Sequence, residues 1–200
     1  MAASTDDEPR PARGRPRSSA TDDAILRAAL KIMGEEGYAR LSIEAVAAEA
    51  GVSRPTIYRR YPGGKSELAP AALADLRSRG DIAHTGDLRT DLVAELGRFR
   101  DGVERPFGMA MVGTVLAEAQ HAPELLERFR EHVVAPRRRL LRGVLEEGRE
   151  RGDVRAGLDL DLAVAMLVGA YYAGHLAGDH LGPDWPERCV DLLLPSLRAG

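Results

Sequence analysis

An all-helical protein is predicted by three features of the sequence. Aromatic residues make up only 4% of the chain, while Ala, Leu, Glu and Arg dominate long stretches, a composition that favours helix over a β-sandwich or barrel. Apolar residues recur at three- and four-residue intervals, as in Ile25, Ala28, Ala29, Ile32 and Met33, or Leu88, Leu92, Leu96, Phe99 and Val103. No segment alternates as a strand would, and there is no short-period repeat. With 200 residues and 44% hydrophobic content the chain supports a real core, in one domain or one large plus one small. The single cysteine, Cys189, excludes an internal disulfide and a Cys-cluster zinc site and fits a reducing cytosol. No apolar run near the start reads as a signal peptide, so a cytoplasmic location is expected.

Residues 1–20 hold almost nothing to bury and read as a disordered arm. Arg10, Arg13, Arg15 and Arg17 make it basic, and Gly14 and Pro16 block a helix. Such a strand can follow DNA into the minor groove or remain a solvated tail. The first helix is expected to start at Thr21 as cap, with Asp22 and Asp23 in its first turn, and to stop at Gly37 in the left-handed C′ conformation. Ser42 then caps a short helix, with Leu41 and Val46 as a hydrophobic staple. Gly51 turns the chain, Ser53 caps again with Val52 and Ile57 as the second staple, and Pro55 falls harmlessly in the first turn. Two short helices around a glycine turn make a helix-turn-helix. The second, Arg54–Tyr61, is too short to stand alone and must be held by its apolar side, mainly Ile57 with Tyr61 as a second candidate. Ser53, Arg54, Thr56, Tyr58, Arg59 and Arg60 are thereby freed.

Charge points the same way. Residues 1–65 hold 11 basic and 9 acidic groups, against 17 and 22 beyond, although the whole chain carries −3. Ser53 to Lys65 contains four cations and no acid, a local density suited to DNA phosphates. The remainder reads as helix throughout. Residues 66–79 are interrupted by Pro70, Gly108–Gln120 is strongly apolar, and Pro123–Arg151 is long and charged with Pro136 as a kink site. Leu160–Leu181 and Pro186–Arg198 complete the chain. Leu162–Gly178 has 17 residues without formal charge, but its flanks are acidic and it contains His175. It is too short and wrongly flanked for a membrane span, and is expected to be a buried helix.

The run from Ser42 to Tyr61, with Lys65-Ser66-Glu67-Leu68 after it, resembles the DNA-binding domain of the TetR family of bacterial regulators. The likeness covers about residues 21–68 and rests on the AxxAGVSxxTIY core and the later Lys; LVGAYYAGHLAG followed by DLLLPSL resembles one branch of that family. It implies three N-terminal helices on DNA (residues 21–68) joined to a larger helical domain for ligand binding and dimerisation (69–200). The expected function is a ligand-responsive regulator, most often a repressor, that binds a palindromic operator as a homodimer. Two departures stand out: the Pro-Gly-Gly-Lys turn after Tyr61 is longer than the family's, and Pro70 lies in the helix that normally couples the two domains.

Arg54 and Thr56 are the candidates for base edges, since Arg takes guanine O6 and N7 together and the Thr methyl meets a thymine methyl. Phosphate contact is the plainer alternative for Arg54. Tyr58 matches the family's phosphate-binding tyrosine, and Ser53, Arg59 and Lys65 are further phosphate donors; Arg15 and Arg17 would act from the arm. Arg60 is set apart as a candidate for pairing with an acid of its own domain. For the small apolar or amphipathic ligand, the candidate lining is Phe99, Phe107, Met109, Met111, Val115, Tyr171, Tyr172 and His175, with ordinary core as the alternative. Adjacent Tyr171 and Tyr172 point about 100° apart, so at most one should face a given cavity. Gly169, Ala173 and Ala177 form a small-residue strip for dimer contact, met by Cys189, Leu192 and Leu193 on the last helix. Two other readings are a helical interaction protein without specific DNA binding and a metal-dependent enzyme. His175, Asp179 and His180, with His121 from elsewhere, are the candidate metal ligands, and their spacing fits no known zinc site. No cofactor or metal is expected.

Overall fold

The computed structural model describes residues 19–76 and 83–199. Residues 1–18 of the expected arm, with Arg13, Arg15 and Arg17, lie outside the described residues, while Ser19 and Ala20, expected in that disordered arm, belong to a helix. Among those described, ten α-helices account for the fold, and the one strand-like pairing is an isolated bridge between Val154 and Arg198.

Helix α1 (Ser19–Glu35) buries Ile25, Ala28, Ala29, Ile32 and Met33, the face read from their spacing. It already includes Ser19, so Thr21 lies inside the helix and is not its cap. Gly37 is not a left-handed C′ residue either. Its φ of 90° and ψ of 163° are accessible to glycine, and they open a single 3₁₀ turn at Tyr38–Arg40. The next two helices follow their capping rules. For α2 (Ile43–Ala50), Ser42 Oγ accepts from the Ala45 N–H at 3.1 Å, and Leu41 and Val46 are both buried. Gly51, at φ 65° and ψ 33°, turns the chain into α3 (Arg54–Arg60), which Ser53 caps through the Thr56 N–H. Ile57 is the one buried side chain of α3.

Helix α4 (Lys65–Asp75) passes through Pro70 without ending. The proline removes one internal hydrogen bond, but Leu68, Ala69, Ala72 and Leu73 are fully buried around it and hold the helix together. One cluster of buried side chains unites α1–α4 with Met111 and Val115 of α6 (Gly108–Ala117) and Leu125 and Phe129 of α7 (Pro123–Phe129). A second unites α5 (Leu88–Glu104), α8 (Ala135–Arg151), α9 (Leu160–Ala177) and α10 (Trp185–Leu197). The helix-turn-helix is therefore carried by α1 and α4, which rest on α6 and α7 respectively, and Thr114 Oγ1 of α6 donates to the Met33 carbonyl of α1 at 2.9 Å.

Pro136 produces a change of winding. The turn before α8, Arg130–Val134, is a π-helix, and the Ala135 N–H reaches the Arg130 carbonyl. Widening this turn accommodates a proline that cannot donate. Helix α9 is long and apolar enough to cross a membrane, yet one face of it, from Leu160 to Gly174, lies in the second cluster. The expectation of burial holds for that face only, because Leu162 and Met166 are exposed on the other.

The start of α5 is fixed by a buried carboxylate. Asp91 accepts from the Thr85 N–H (2.8 Å), the Thr85 hydroxyl (2.9 Å) and the Gly86 N–H (2.9 Å). Burial pushes its pKa up, but the donors outweigh burial and leave it below the ordinary value. A carboxyl with a lowered folded-state pKa stabilises fully at neutral pH, and the contribution is lost as pH falls through the depressed value. Asp91→Asn is expected to cost about 1–3 kcal/mol at pH 7 and to flatten the acid limb of stability against pH. Urea melts from pH 7 to pH 3 check this, and an unchanged acid limb would refute it.

Candidate nucleic-acid interface and internal cavity

Helix α3 presents its outer face because Ile57, completely buried, pins the opposite one. Ser53, Arg54, Tyr58 and Arg59 are exposed and Thr56 is half-buried. Ser53 Oγ and Thr56 Oγ1 lie 2.9 Å apart, which fixes the first turn and engages both hydroxyls. Arg54 donates to Glu44 Oε1 of α2 at 2.9 Å, with both side chains about 60% exposed. An exposed ion pair of this kind is worth little, so the guanidinium is available to a stronger acceptor. Arg59 has no ion pair among the described residues.

Two cations of this segment are committed elsewhere. The Arg60 Nε lies 2.6 Å from Asp22 Oδ1 and its side chain is only 11% exposed, the intradomain pairing foreseen for it. Lys65 donates to the Tyr38 carbonyl at 2.7 Å and sits 3.9 Å from the centre of the Tyr38 ring. Its expected phosphate contact thus competes with a role in joining the start of α4 to the 3₁₀ turn. The longer turn after Tyr61 has its own logic. Gly64 adopts φ 63° and ψ −132°, and a Cβ there would lie 3.6 Å from the Tyr58 ring.

A cavity of about 600 Å³ lies among α5, α6, the α7–α8 segment and α9. Phe99, Met109, Val115, Tyr172 and His175 line it as expected. Three other candidates do not. Met111 is fully buried in the core beneath the helix-turn-helix, on the side of α6 opposite Met109. Phe107 occupies the α5–α6 turn at φ 68°, against Gly34 of α1, where an added Cβ would come within 2.9 Å of Phe107 Cβ. Tyr171 packs edge-on against Tyr172, with ring centroids 6.4 Å apart, but is buried between Phe99 and Trp185 and lies outside this lining. Its hydroxyl donates to Glu104 Oε1 at 3.0 Å, and burial together with that bond pushes its pKa up to about 12.

The sequence reading missed the cavity's other wall. Phe129, Val133 and Arg137 recur at four-residue spacing on the α7–α8 segment, and all three face the cavity. That spacing was visible, but the many charges of 123–151 masked it. Among the described residues no group of three or more His, Cys, Asp or Glu is arranged to hold a metal, so His175, Asp179, His180 and His121 do not converge.

Gly169 and Leu193 are half-buried on the outer side of α9 and α10, while Ala173, Ala177 and Leu192 are exposed there. Cys189 is a correction to the expected contact face. It is buried, burial raises its pKa, and its thiol points to the Leu167 carbonyl at 3.8 Å, inside its own protomer.

Comparison with known proteins gives a consistent result. A family model described as bacterial regulatory proteins, tetR family, matches residues 25–72, and a tetracyclin repressor-like C-terminal domain model matches residues 82–193. The chain is 34% identical over 194 residues to the DNA-binding transcriptional repressor TetR of Mycobacteroides abscessus, covering 94% of this chain and 98% of the relative. It is 29% identical over 186 residues to an uncharacterized HTH-type transcriptional regulator of Bacillus subtilis, YdeS, covering 89% and 90%. Among solved structures, a TetR family transcription regulator at 30% identity superimposes with a TM-score of 0.61 over 90% of this chain and 99% of the other. The fatty acid degradation regulator FadR of Bacillus halodurans, at 23% identity, has the same fold with a TM-score of 0.69 over 94% and 100%.

Proposed function

Because the chain belongs to the tetR family of bacterial regulatory proteins and is an HTH-type transcriptional regulator, we propose that it represses transcription in the cytoplasm as a homodimer on a palindromic operator and is released by a small molecule. The observation that carries this reading is the outer face of α3, which is free of acids and pinned from behind by Ile57. Arg54 and Thr56 read base edges, and Ser53, Tyr58 and Arg59 hold phosphates. Lys65 reaches a phosphate only by leaving Tyr38, and Arg15 and Arg17 add minor-groove contact from the arm. Residues 21–68 carry DNA recognition, and 69–200 carry the effector cavity and the dimer contact.

The dimer contact is assigned to the outer side of α9 and α10. Leu192 is 80% exposed there, and Leu162 and Met166 follow the same stripe as Gly169, Ala173 and Ala177. A contiguous apolar face of this kind asks for cover. A two-fold axis through it sets two α3 helices for half-sites about 34–36 Å apart or a multiple of that. The ligand acts by preferring a conformation with another spacing, and shifts the balance by no more than its differential affinity for the two.

The test is selection from a random duplex pool, followed by titration of the winner at several salt concentrations. An enriched palindrome bound about 10³-fold or more above random DNA is expected. Arg54→Ala should cost about 1–3 kcal/mol and relax preference at one base pair. A uniform loss on all sequences would move Arg54 to the phosphates, and no enrichment at all would overturn the reading.

A further inference from the structure

Arg137 is the least explained charge in the molecule. It leaves the first turn of α8, and Nη2 donates to the Leu76 carbonyl at the end of α4, 3.1 Å away. Its Nε is sealed from solvent and has no hydrogen-bond partner. Helix α5 is shaped to receive it: a Cβ on Gly102 would come within 2.6 Å of Nη2 and 3.1 Å of the guanidinium carbon. Among the described residues no carboxylate pairs with it. The charged or polar groups felt by the guanidinium are Tyr172 and another cation, Arg105, and burial lowers its pKa. A buried charge left without a counter-charge is costly, and proteins ordinarily pair it.

The cavity repeats that imbalance on a larger scale. Arg130, Arg137 and Arg138 line it, and no Asp or Glu does. Arg130 pairs with Glu127, and Arg138 with Asp161, outside the lining. Tyr172 and His175 are the other polar groups, and the rest of the wall is apolar, with Phe99, Phe129 and Val133 among its residues. The natural complement is a molecule with one acid group and an apolar body.

We propose that the cavity takes an amphipathic organic carboxylate, its acid group paired with the Arg137 guanidinium and its body laid along the apolar wall. This rests on the reading of the cavity as the effector site and names the chemical class of the effector. The same guanidinium holds Leu76, so the acid group draws on the contact that fixes the end of α4, the helix that follows the recognition helix.

Calorimetric titration of the full chain with matched pairs tests it: decanoate against 1-decanol, and 2-naphthoate against 2-naphthalenemethanol. In at least one pair the carboxylate should bind about 10–100-fold tighter than the alcohol, the effect of one charge-assisted hydrogen bond. Arg137→Gln should reduce the carboxylate to the alcohol's affinity and leave the alcohol unchanged, while Arg137→Lys should keep part of the preference. Gly102→Ala, which displaces the guanidinium without removing it, is a second route to the same loss if Arg137→Gln does not fold. Alcohols binding as tightly as carboxylates, or a preference surviving both Arg137→Gln and Gly102→Ala, would overturn the proposal while leaving the cavity reading intact. If no member of either pair binds, the cavity reading fails and takes this proposal with it.

Discussion

Glutamate at both Met166 and Leu192 is expected to turn a dimer into a monomer and to abolish specific operator binding at the same time. Met166 is 51% exposed on α9 and Leu192 80% exposed on α10, with Gly169 and Ala173 further along the same α9 stripe. Inside one protomer neither side chain contributes much packing, so the double variant should melt within about 0.5 kcal/mol per site of the parent. Across a two-fold axis the position changes character. Each substitution enters twice, and four carboxylates would have to be buried in an apolar contact without partners. The monomer retains one recognition helix and so one half-site. Specific binding should therefore fall toward the level of random DNA, a loss of about 10³-fold or more. Sedimentation velocity and operator titration read the two consequences separately. A dimer that persists at micromolar protein would move the contact to another face, and a monomer that still binds the operator at full affinity would remove the need for a symmetric reader.

The parts of this molecule written in short-range rules were legible before the fold was known. Ser42 and Ser53 as caps, Gly51 as the turn and the Leu41–Val46 staple each depend on residues within five positions, and all four are present. The helical faces of α1 and α5 follow from periodicity alone. Two short-range readings failed, Thr21 as a cap and Gly37 as a left-handed end, and the other errors arose where a residue's role is set by distant partners. Phe107 and Met111 are residue types suited to a cavity, but they serve the seam between α6 and α1, a contact no local pattern encodes. Cys189 lies about 60° around α10 from Leu192, enough to place one inside the protomer and the other outside. Arg137 is the clearest case. Its meaning depends on Gly102 and on a carbonyl 61 residues earlier, and in sequence it is one of three consecutive arginines.

The second large effect is expected from Ile57→Ala, where a change wholly within the core should appear mainly as lost DNA binding. Helix α3 has only seven residues, below the length at which a helix persists by itself. Its cap at Ser53 and the Arg54–Glu44 pair lie at the surface, so its position depends on one completely buried side chain. Truncating a buried isoleucine to alanine costs about 2–5 kcal/mol, and here the cost falls on the element least able to bear it. The helix should undock locally before the rest of the protein unfolds. If each α3 is docked one-tenth of the time, both are docked in about one dimer in a hundred, and apparent operator affinity falls about 100-fold in proportion. Ile57→Val, which keeps most of the volume, should lose only about 0.5–1.5 kcal/mol. Hydrogen exchange of the α3 amides alongside operator titration checks the cause: exchange should accelerate in α3 while α5 and α8 stay protected. Equal acceleration everywhere would mean global destabilisation, and unchanged affinity with an undocked α3 would mean that this helix does not read the DNA.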